Sequence, residues 1–233
     1  MKISIIGLGR FGEALGTLLK NDGHEINGTT RTEVKLSHLQ EKHFNPSILV
    51  YPDCPSFSLE SDIIILNIPP FADQLEWFKS WSWSTDSKII FISSTSTYPA
   101  PNSSSSEVLL SEEEWIKSTF PIFSILRFGG LYSDSFHPGK YLSGKQNLPG
   151  RLWPVNLVHL KDAVGFTKKV IDKNLYCKTF HVICNEHPTR EEYYSKYCQI
   201  HGLPLPHFDP SDLSTKSPVP SEEASEIYTF IPL

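Results

Sequence analysis

The chain has 233 residues, of which 39% are hydrophobic, and it carries a net charge of −5 at pH 7. This length suits one α/β domain, or one domain with a small appended lobe, and allows a substantial core. The acidic balance argues against nucleic acid or a membrane surface as partners. No apolar stretch approaches the ~20 residues of a membrane helix, and no secretory leader is visible. We therefore expect a cytoplasmic protein.

The cysteines do not have the spacing of a metal site. Cys54, Cys177, Cys184 and Cys198 form no Cys-x-x-Cys pair. We expect free thiols in a reducing compartment and no bound metal.

The first motif is a glycine-rich turn between an apolar strand and an amphipathic helix. The segment 3–12 reads Ile-Ser-Ile-Ile-Gly-Leu-Gly-Arg-Phe-Gly. Gly7 allows a tight bend, Gly9 lets the backbone approach a pyrophosphate, and Gly12 lets the helix pack on the strand. The N–H groups of the helix N-terminus would then face the phosphates. Because strand and helix flank it, the motif indicates a dinucleotide site, with a turn that binds no ligand as the alternative.

The end of the second strand indicates which dinucleotide is bound. An NAD site usually has an acidic residue there, whereas this strand ends in Thr30 and Arg31. A guanidinium can hold a 2′-phosphate with two hydrogen bonds, and a carboxylate would repel it. The sequence therefore favours NADP over NAD. The alternative is that Arg31 is only a solvated charge at a strand end.

Nearly continuous apolar strands alternate with helical segments along the chain. This alternation predicts a Rossmann-type α/β fold, a doubly wound parallel sheet covered on both faces, with a small C-terminal substrate lobe. We expect a Rossmann core over residues 1–128 and the substrate lobe, with a lid, over 129–233. The predicted strands after the second are 48–51, 62–68, 88–93, 122–127 and 180–183, and the predicted helices are 71–81, 111–118, 161–172 and 189–201.

Two further patterns favour structural roles. The acidic run of residues 112–114 would lie in the first turn of the helix 111–118, where acids complement the helix dipole. The tryptophan-rich stretch 77–83 is typical of a helix that packs on a sheet.

Four segments together resemble an atypical, extended short-chain dehydrogenase/reductase. The resemblance is to the nucleoside-diphosphate-sugar epimerase-like group, NAD(P)-dependent epimerases and dehydratases, and within it to the YeeZ-like branch. It covers nearly the whole chain and is more specific than the glycine motif alone. The matching segments are 7–12 (Gly-Leu-Gly-Arg-Phe-Gly), 91–98 (Phe-Ile-Ser-Ser-Thr-Ser-Thr-Tyr), 125–132 (Ile-Leu-Arg-Phe-Gly-Gly-Leu-Tyr) and 155–162 (Val-Asn-Leu-Val-His-Leu-Lys-Asp).

The resemblance implies roles for individual residues. Ser94 would match the catalytic serine or threonine, and Tyr98 would face the substrate. His159 is a further candidate catalytic group, with a structural hydrogen bond as the alternative. The substrate, a nucleotide sugar or a similar anionic small molecule, would meet Arg127, His137, Arg151 and Asn156; the alternative for the basic segment that holds His137 and Arg151 is an ordinary solvated loop. The cofactor would meet Gly7, Gly9, Arg10, Phe11, Gly12, Thr30, Arg31, Asn67, Ile68, Pro69 and Ser93.

The sequence departs from the family at the catalytic pair. The family's Tyr-x-x-x-Lys lies on the helix between the fifth and sixth strands, and this chain has no tyrosine between Pro99 and Pro121. Tyr141 and Lys145 have the spacing, but they follow the sixth strand in a glycine-flanked segment, so we interpret the match as coincidence. Two functions stay open, an NADP-dependent epimerase, dehydratase or reductase, and a non-catalytic NADP sensor. Homodimer formation also stays open.

Overall fold

The computed structural model describes residues 1–55 and 59–233. Its strands and helices alternate through the first half of the chain, as the sequence predicts. The strands are β1 (Lys2–Ile6), β2 (Glu25–Thr30), β3 (Asn45–Ile48), β4 (Ile63–Leu66), β5 (Lys88–Ser94), β6 (Phe123–Phe128), β7 (Gly130–Tyr132), β8 (Leu157–His159) and β9 (Lys178–Val182). The helices are α1 (Arg10–Asn21), α2 (Glu33–Glu41), α3 (Gln74–Lys79), α4 (Ser104–Thr119), α5 (Pro138–Leu142), α6 (Leu160–Asp172), α7 (Arg190–Ile200) and α8 (Glu222–Ser225).

Seven strands form one sheet in the order β3-β2-β1-β4-β5-β6-β9. The pairings from β3 to β5 are parallel, and both faces of β4 are buried, which explains its unbroken apolar run. The order reverses between β1 and β4. Open α/β sheets bind their ligands beyond the carboxyl ends of the strands at such a reversal. The predicted Rossmann-type fold is confirmed.

The chain divides into two compact units. The first comprises residues 1–127 and 164–180, and the second comprises 128–163 and 181–233. Residues 164–180, which we expected in the C-terminal lobe, cluster with the first unit. Phe166 of α6 packs there on Phe180 of β9, the last strand of the large sheet.

The first unit has an aromatic core between α3 and α4. Trp77, Phe78 and Trp81 are buried, and the Phe78 ring stacks near that of Trp115 with centroids 6.4 Å apart. The predicted packing role of this tryptophan-rich stretch is confirmed. Within the described ranges 1–55 and 59–233, no helix is both long and apolar enough to cross a bilayer.

The second unit contains short elements that the sequence did not predict. Strands β7 and β8 pair in parallel, and Tyr132, Val155 and Leu157 form a core with residues of α7 and the tail. The segment 129–156, expected as a lid, holds β7 and α5 and packs within its own unit. A side chain at Gly139 of α5, for example, would overlap the Tyr197 ring of α7.

Two elements of the first unit have bounds that differ from the sequence-based prediction. Strand β3 ends at Ile48 instead of beginning there, and the Leu49 N–H then donates to the Thr30 carbonyl oxygen. Helix α4 begins seven residues before the predicted position 111, at Ser104, because Ser103 and Ser106 form a capping box. The acidic run therefore lies in the middle of α4, and its interpretation as helix capping is wrong.

Candidate dinucleotide site and serine loop

The glycine turn joins β1 to the first turn of α1, and two of its glycines are required by the protein itself. Gly7 has φ of +104°, and a Cβ there would overlap the Asn67 carbonyl oxygen. A Cβ at Gly12 would overlap the Gly7 carbonyl oxygen. These two positions therefore accept only glycine if the turn is to keep its shape.

Gly9 has no such explanation within the protein. Its φ is −75°, which any residue adopts, and a Cβ there would meet no atom of residues 1–55 or 59–233 within 4 Å. Gly9 is the N-cap of α1 and, as a glycine, provides no side-chain cap for this helix end. The open space at Gly9 and its place at the N-terminus of α1 together fit a pyrophosphate, which the backbone could approach closely only without a side chain at Gly9. The predicted contacts of Arg10 and Phe11 stay predictions, with Arg10 exposed and the Phe11 ring buried.

Strand β2 supports the turn and ends at an exposed cation. The Gly7 N–H donates to Thr29 Oγ1 at 2.9 Å, and the Leu8 N–H donates to the Thr29 carbonyl oxygen at 2.7 Å. Thr30 is buried and Arg31 is exposed directly after it. Their place beside the glycine turn is the one that a dinucleotide ribose occupies in this type of fold.

The end of β4 braces the turn from the other side. The Asn67 side-chain amide donates to the Gly7 carbonyl oxygen at 2.9 Å, and the Asn67 N–H donates to Ile6 at 2.9 Å. Ile68 packs against the aromatic core, and Pro69 is exposed. Asn67 thus has a structural role in shaping the turn, and the cofactor contacts of these residues stay predictions.

The loop after β5 is a short 3₁₀ turn that displays the predicted catalytic residues. Ser94 Oγ accepts a hydrogen bond from the Ser96 N–H at 3.1 Å, which leaves the serine hydrogen available to donate elsewhere. The Tyr98 N–H donates to the Thr95 carbonyl oxygen, and the Tyr98 side chain is 39% exposed. We call residues 94–98 the serine loop.

A buried ion pair lies beneath the serine loop. Glu113 of α4 is fully buried and accepts from Arg127 of β6, with Nη2 to Oε2 at 2.6 Å and Nε to Oε1 at 2.9 Å. The Ser93 hydroxyl donates to the same carboxylate at 2.6 Å. The guanidinium of Arg127 is therefore committed to Glu113, and its substrate contact stays a prediction, as does the cofactor contact of Ser93.

Sequence reasoning missed Glu113 and its neighbour Glu112. In the sequence, these two acidic residues interrupt an apolar helical face, because Leu109 and Ile116 flank them at helical spacing. Once α4 is known to begin at Ser104, that interruption is a recognisable signal. Glu112 is also fully buried, and both of its oxygens lack a hydrogen-bond partner among the described residues. Burial raises its pKa to about 8.

The remaining predicted residues lie in the second unit and contact their own neighbours there. His137 Nδ1 accepts from the Gly139 N–H, and its ring stacks on Tyr197 with centroids 3.7 Å apart. Burial lowers the pKa of His137 to about 4, so it is neutral at pH 7. Arg151 pairs with Glu191 at 3.3 Å.

Asn156 and His159 are similarly engaged. Asn156 Oδ1 accepts from the Val219 N–H of the C-terminal tail at 3.2 Å. His159 is 6% exposed, its Nδ1 accepts from the Lys161 N–H, and its Nε2 lies 4.0 Å from Asp134. Because Nδ1 accepts, the neutral ring carries its proton on Nε2. That these residues share a pocket with Ser94 stays a prediction.

The one Tyr-x-x-x-Lys match has an exposed setting. Tyr141 of α5 is 74% exposed, and Lys145 Nζ lies 3.2 Å from the centre of its ring. The lysine thus contacts the ring face of the tyrosine.

Comparisons with known proteins agree with the fold. Residues 2–94, less than half of the chain, match the family described as NADP oxidoreductase, coenzyme F420-dependent. Over 239 aligned residues the chain is 26% identical to Protein YeeZ of Escherichia coli (strain K12), and the match covers 89% of this chain and 86% of YeeZ.

Solved structures extend the likeness to nearly the whole chain. A putative NAD-dependent epimerase/dehydratase from Methylobacillus flagellatus has a TM-score of 0.76 at 17% identity, covering 99% of this chain and 93% of its own. A short-chain dehydrogenase/reductase superfamily protein from Agrobacterium tumefaciens, solved with bound NAD, also has a TM-score of 0.76, at 16% identity and covering 100% and 93%. The predicted resemblance is therefore confirmed as a similarity: the chain is similar to Protein YeeZ over 89% of its length, and its Rossmann-type fold is similar to those of the two solved structures.

Proposed function

We propose that this protein binds NADP and is an NADP-dependent epimerase, dehydratase or reductase of a nucleotide sugar or similar polar metabolite. The observation that carries the proposal is Gly9, which leaves open space at the N-terminus of α1, where the strand order of the sheet reverses. The proposal is supported by the likeness to YeeZ and to a structure named as a putative NAD-dependent epimerase/dehydratase.

The cofactor would be held from three sides. The N–H groups at the start of α1 would bind the pyrophosphate, and Arg31 would bind the 2′-phosphate of NADP. Asn67 keeps the turn in shape through its hydrogen bond to Gly7. The bound nicotinamide would supply hydride transfer.

The chain's own contribution would be to orient the substrate and move a proton. Ser94 has a hydroxyl hydrogen that it can donate to a substrate oxygen, because its Oγ already accepts from Ser96. Tyr98, on the same loop, is the tyrosine nearest to Ser94 in the sequence, and its partly exposed phenol would face the substrate. Within the second unit, the proposed roles are separate: His159 would carry a proton on Nε2, and the basic residues of the 129–156 segment would attract an anion.

A second candidate function is a non-catalytic NADP sensor. The observation that favours it is that α4, the helix on which the family carries Tyr-x-x-x-Lys, contains no tyrosine. Both candidate functions include the NADP site. They differ in whether the protein converts a substrate.

Two measurements separate the candidates. Calorimetric titration with NADP and with NAD tests the shared site, and binding of neither would remove the whole proposal. Turnover is then measured in two mixtures, one with NADPH and a panel of keto-sugar nucleotides and one with NADP and the corresponding sugar nucleotides. The readouts are nicotinamide absorbance and product chromatography. Turnover that Ser94→Ala reduces supports the enzyme, whereas tight NADP binding without turnover supports the sensor.

A further inference from the structure

We propose that Glu113 is a positioning residue that holds the serine loop in the conformation that meets the nicotinamide end of the cofactor. This inference rests on the proposed function for its cofactor. Its structural half, that Glu113 orders the loop, stands on the hydrogen bonds of the first unit alone.

Glu113 joins three elements at one carboxylate. It lies on α4, receives two bonds from the Arg127 guanidinium of β6, and receives the Ser93 hydroxyl from the end of β5. Its side chain is 0% exposed and that of Arg127 is 12% exposed. Hydrogen bonds to a charged acceptor in such a dry setting are short and strong, and the Ser93 bond at 2.6 Å has that character.

The serine loop bonds to this carboxylate through the residue before it and approaches the carboxylate again near its end. Ser93 immediately precedes the loop and donates to Glu113 Oε1. Thr97 is 2% exposed, and its hydroxyl lies 2.9 Å from the Ser94 carbonyl oxygen and 3.5 Å from Glu113 Oε1. Glu113 thus bonds to the residue before Ser94 and lies close to the residue before Tyr98, without using either predicted catalytic side chain.

The neighbouring residue offers a matched control. Glu112 is as deeply buried on the same helix, yet its oxygens bond to no residue of the loop. Glu112→Gln therefore removes a buried carboxyl one position away and leaves the connections of Ser93 and Thr97 intact. Ser93→Ala removes one connection and leaves the ion pair in place, so it serves if Glu113→Gln does not fold.

The test measures the loop and the cofactor separately. Hydrogen–deuterium exchange on the unliganded protein reports the Ser96 and Tyr98 amides, which are both bonded within the loop. Titrations with NADP and with 2′-phospho-ADP-ribose, which lacks nicotinamide, report the two ends of the cofactor site. We expect Glu113→Gln and Ser93→Ala to speed loop exchange about 10-fold or more and to lower NADP affinity about 10-fold, a change of one decade in an equilibrium constant. The affinity for 2′-phospho-ADP-ribose should be unchanged, and Glu112→Gln should change none of the three.

Unchanged loop exchange in both variants would overturn the inference. Equal losses of affinity for NADP and for 2′-phospho-ADP-ribose would also overturn it, because a merely structural ion pair would weaken the whole site. If the wild-type protein binds neither ligand, the proposed function fails and the cofactor half of the inference falls with it. The exchange experiment then still decides whether Glu113 orders the loop.

Discussion

The buried carboxyl of Glu112 makes the stability of this protein depend on pH in a predictable direction. Burial raises its pKa from 4.5 to about 8 in the folded chain, whereas the unfolded chain exposes it to water. Between these two pH values the folded state binds more protons than the unfolded state. The free energy of unfolding contributed by this group is therefore fully present below pH 4.5, falls as the pH rises, and levels off above pH 8.

The size of the effect follows from the same two values. Each pH unit in this window costs about 1.4 kcal/mol, so the total loss from pH 4.5 to pH 8 is about 3 to 5 kcal/mol. Glutamine has nearly the same shape and does not titrate. Glu112→Gln should therefore match the wild type at pH 4.5, apart from a constant offset, and become more stable than it by this amount at pH 8.

Urea unfolding followed by tryptophan fluorescence, repeated from pH 4.5 to pH 9, measures this difference directly. Glu114→Gln is the control, since Glu114 is exposed on the same helix and should leave the pH dependence as it is in the wild type. If the wild-type and Glu112→Gln curves run parallel across the range, Glu112 titrates normally and the reasoning from its burial is refuted.

Three further variants test the candidate site. Arg31→Asp should lower NADP affinity about 10- to 100-fold and leave NAD affinity much less affected, since it removes a charged hydrogen bond to the 2′-phosphate; equal losses in titrations with both cofactors would contradict NADP preference. Gly12→Ala should lower the free energy of unfolding in urea by about 1–3 kcal/mol, because its Cβ would overlap the Gly7 carbonyl oxygen; an unchanged midpoint would show that the turn can shift. Tyr141→Phe should leave NADP binding and any turnover unchanged, and a 10-fold loss of turnover, about 1.4 kcal/mol, would make this exposed tyrosine catalytic after all.

The glycine turn could be predicted because its physics is local. Gly7, Gly9 and Gly12 stand at fixed spacing between a strand and a helix whose apolar patterns are clear, so a few consecutive residues determine the conformation. The parallel sheet followed from the apolar strands for the same reason, since strands such as β4 are buried on both faces.

The second unit could not be predicted in the same way. Its elements are short, as in the three-residue strands β7 and β8, and they depend on contacts between residues far apart in sequence. Asn156, for example, was predicted to bind substrate, and its side chain accepts a hydrogen bond from Val219, 63 residues later. No local pattern indicates such a partner.

The acidic run on α4 failed for a different reason. The role of these acids depends on where the helix begins. The capping box of Ser103 and Ser106 starts the helix at Ser104, so Glu112 and Glu113 lie in the middle of the helix, where they are buried. A residue at the first turn of a helix complements the dipole, whereas one in the middle of a packed face must find a partner or lose its charge. Glu113 finds a partner in Arg127, whereas Glu112 has a raised pKa and loses its charge near neutral pH.

The most direct test of the account is the affinity of Gly9→Ala for NADP. The protein itself tolerates a Cβ at this position, because φ is −75° and no atom of the described residues lies within 4 Å, so the variant should unfold at nearly the wild-type urea concentration. The pyrophosphate would lose its close approach to the N–H groups of α1, and hydrogen bonds to a charged group are worth about 1.5–3 kcal/mol each, so calorimetry should show a loss of about 100-fold. A folded Gly9→Ala variant that binds NADP as tightly as the wild type would contradict the claim that this turn is the cofactor site.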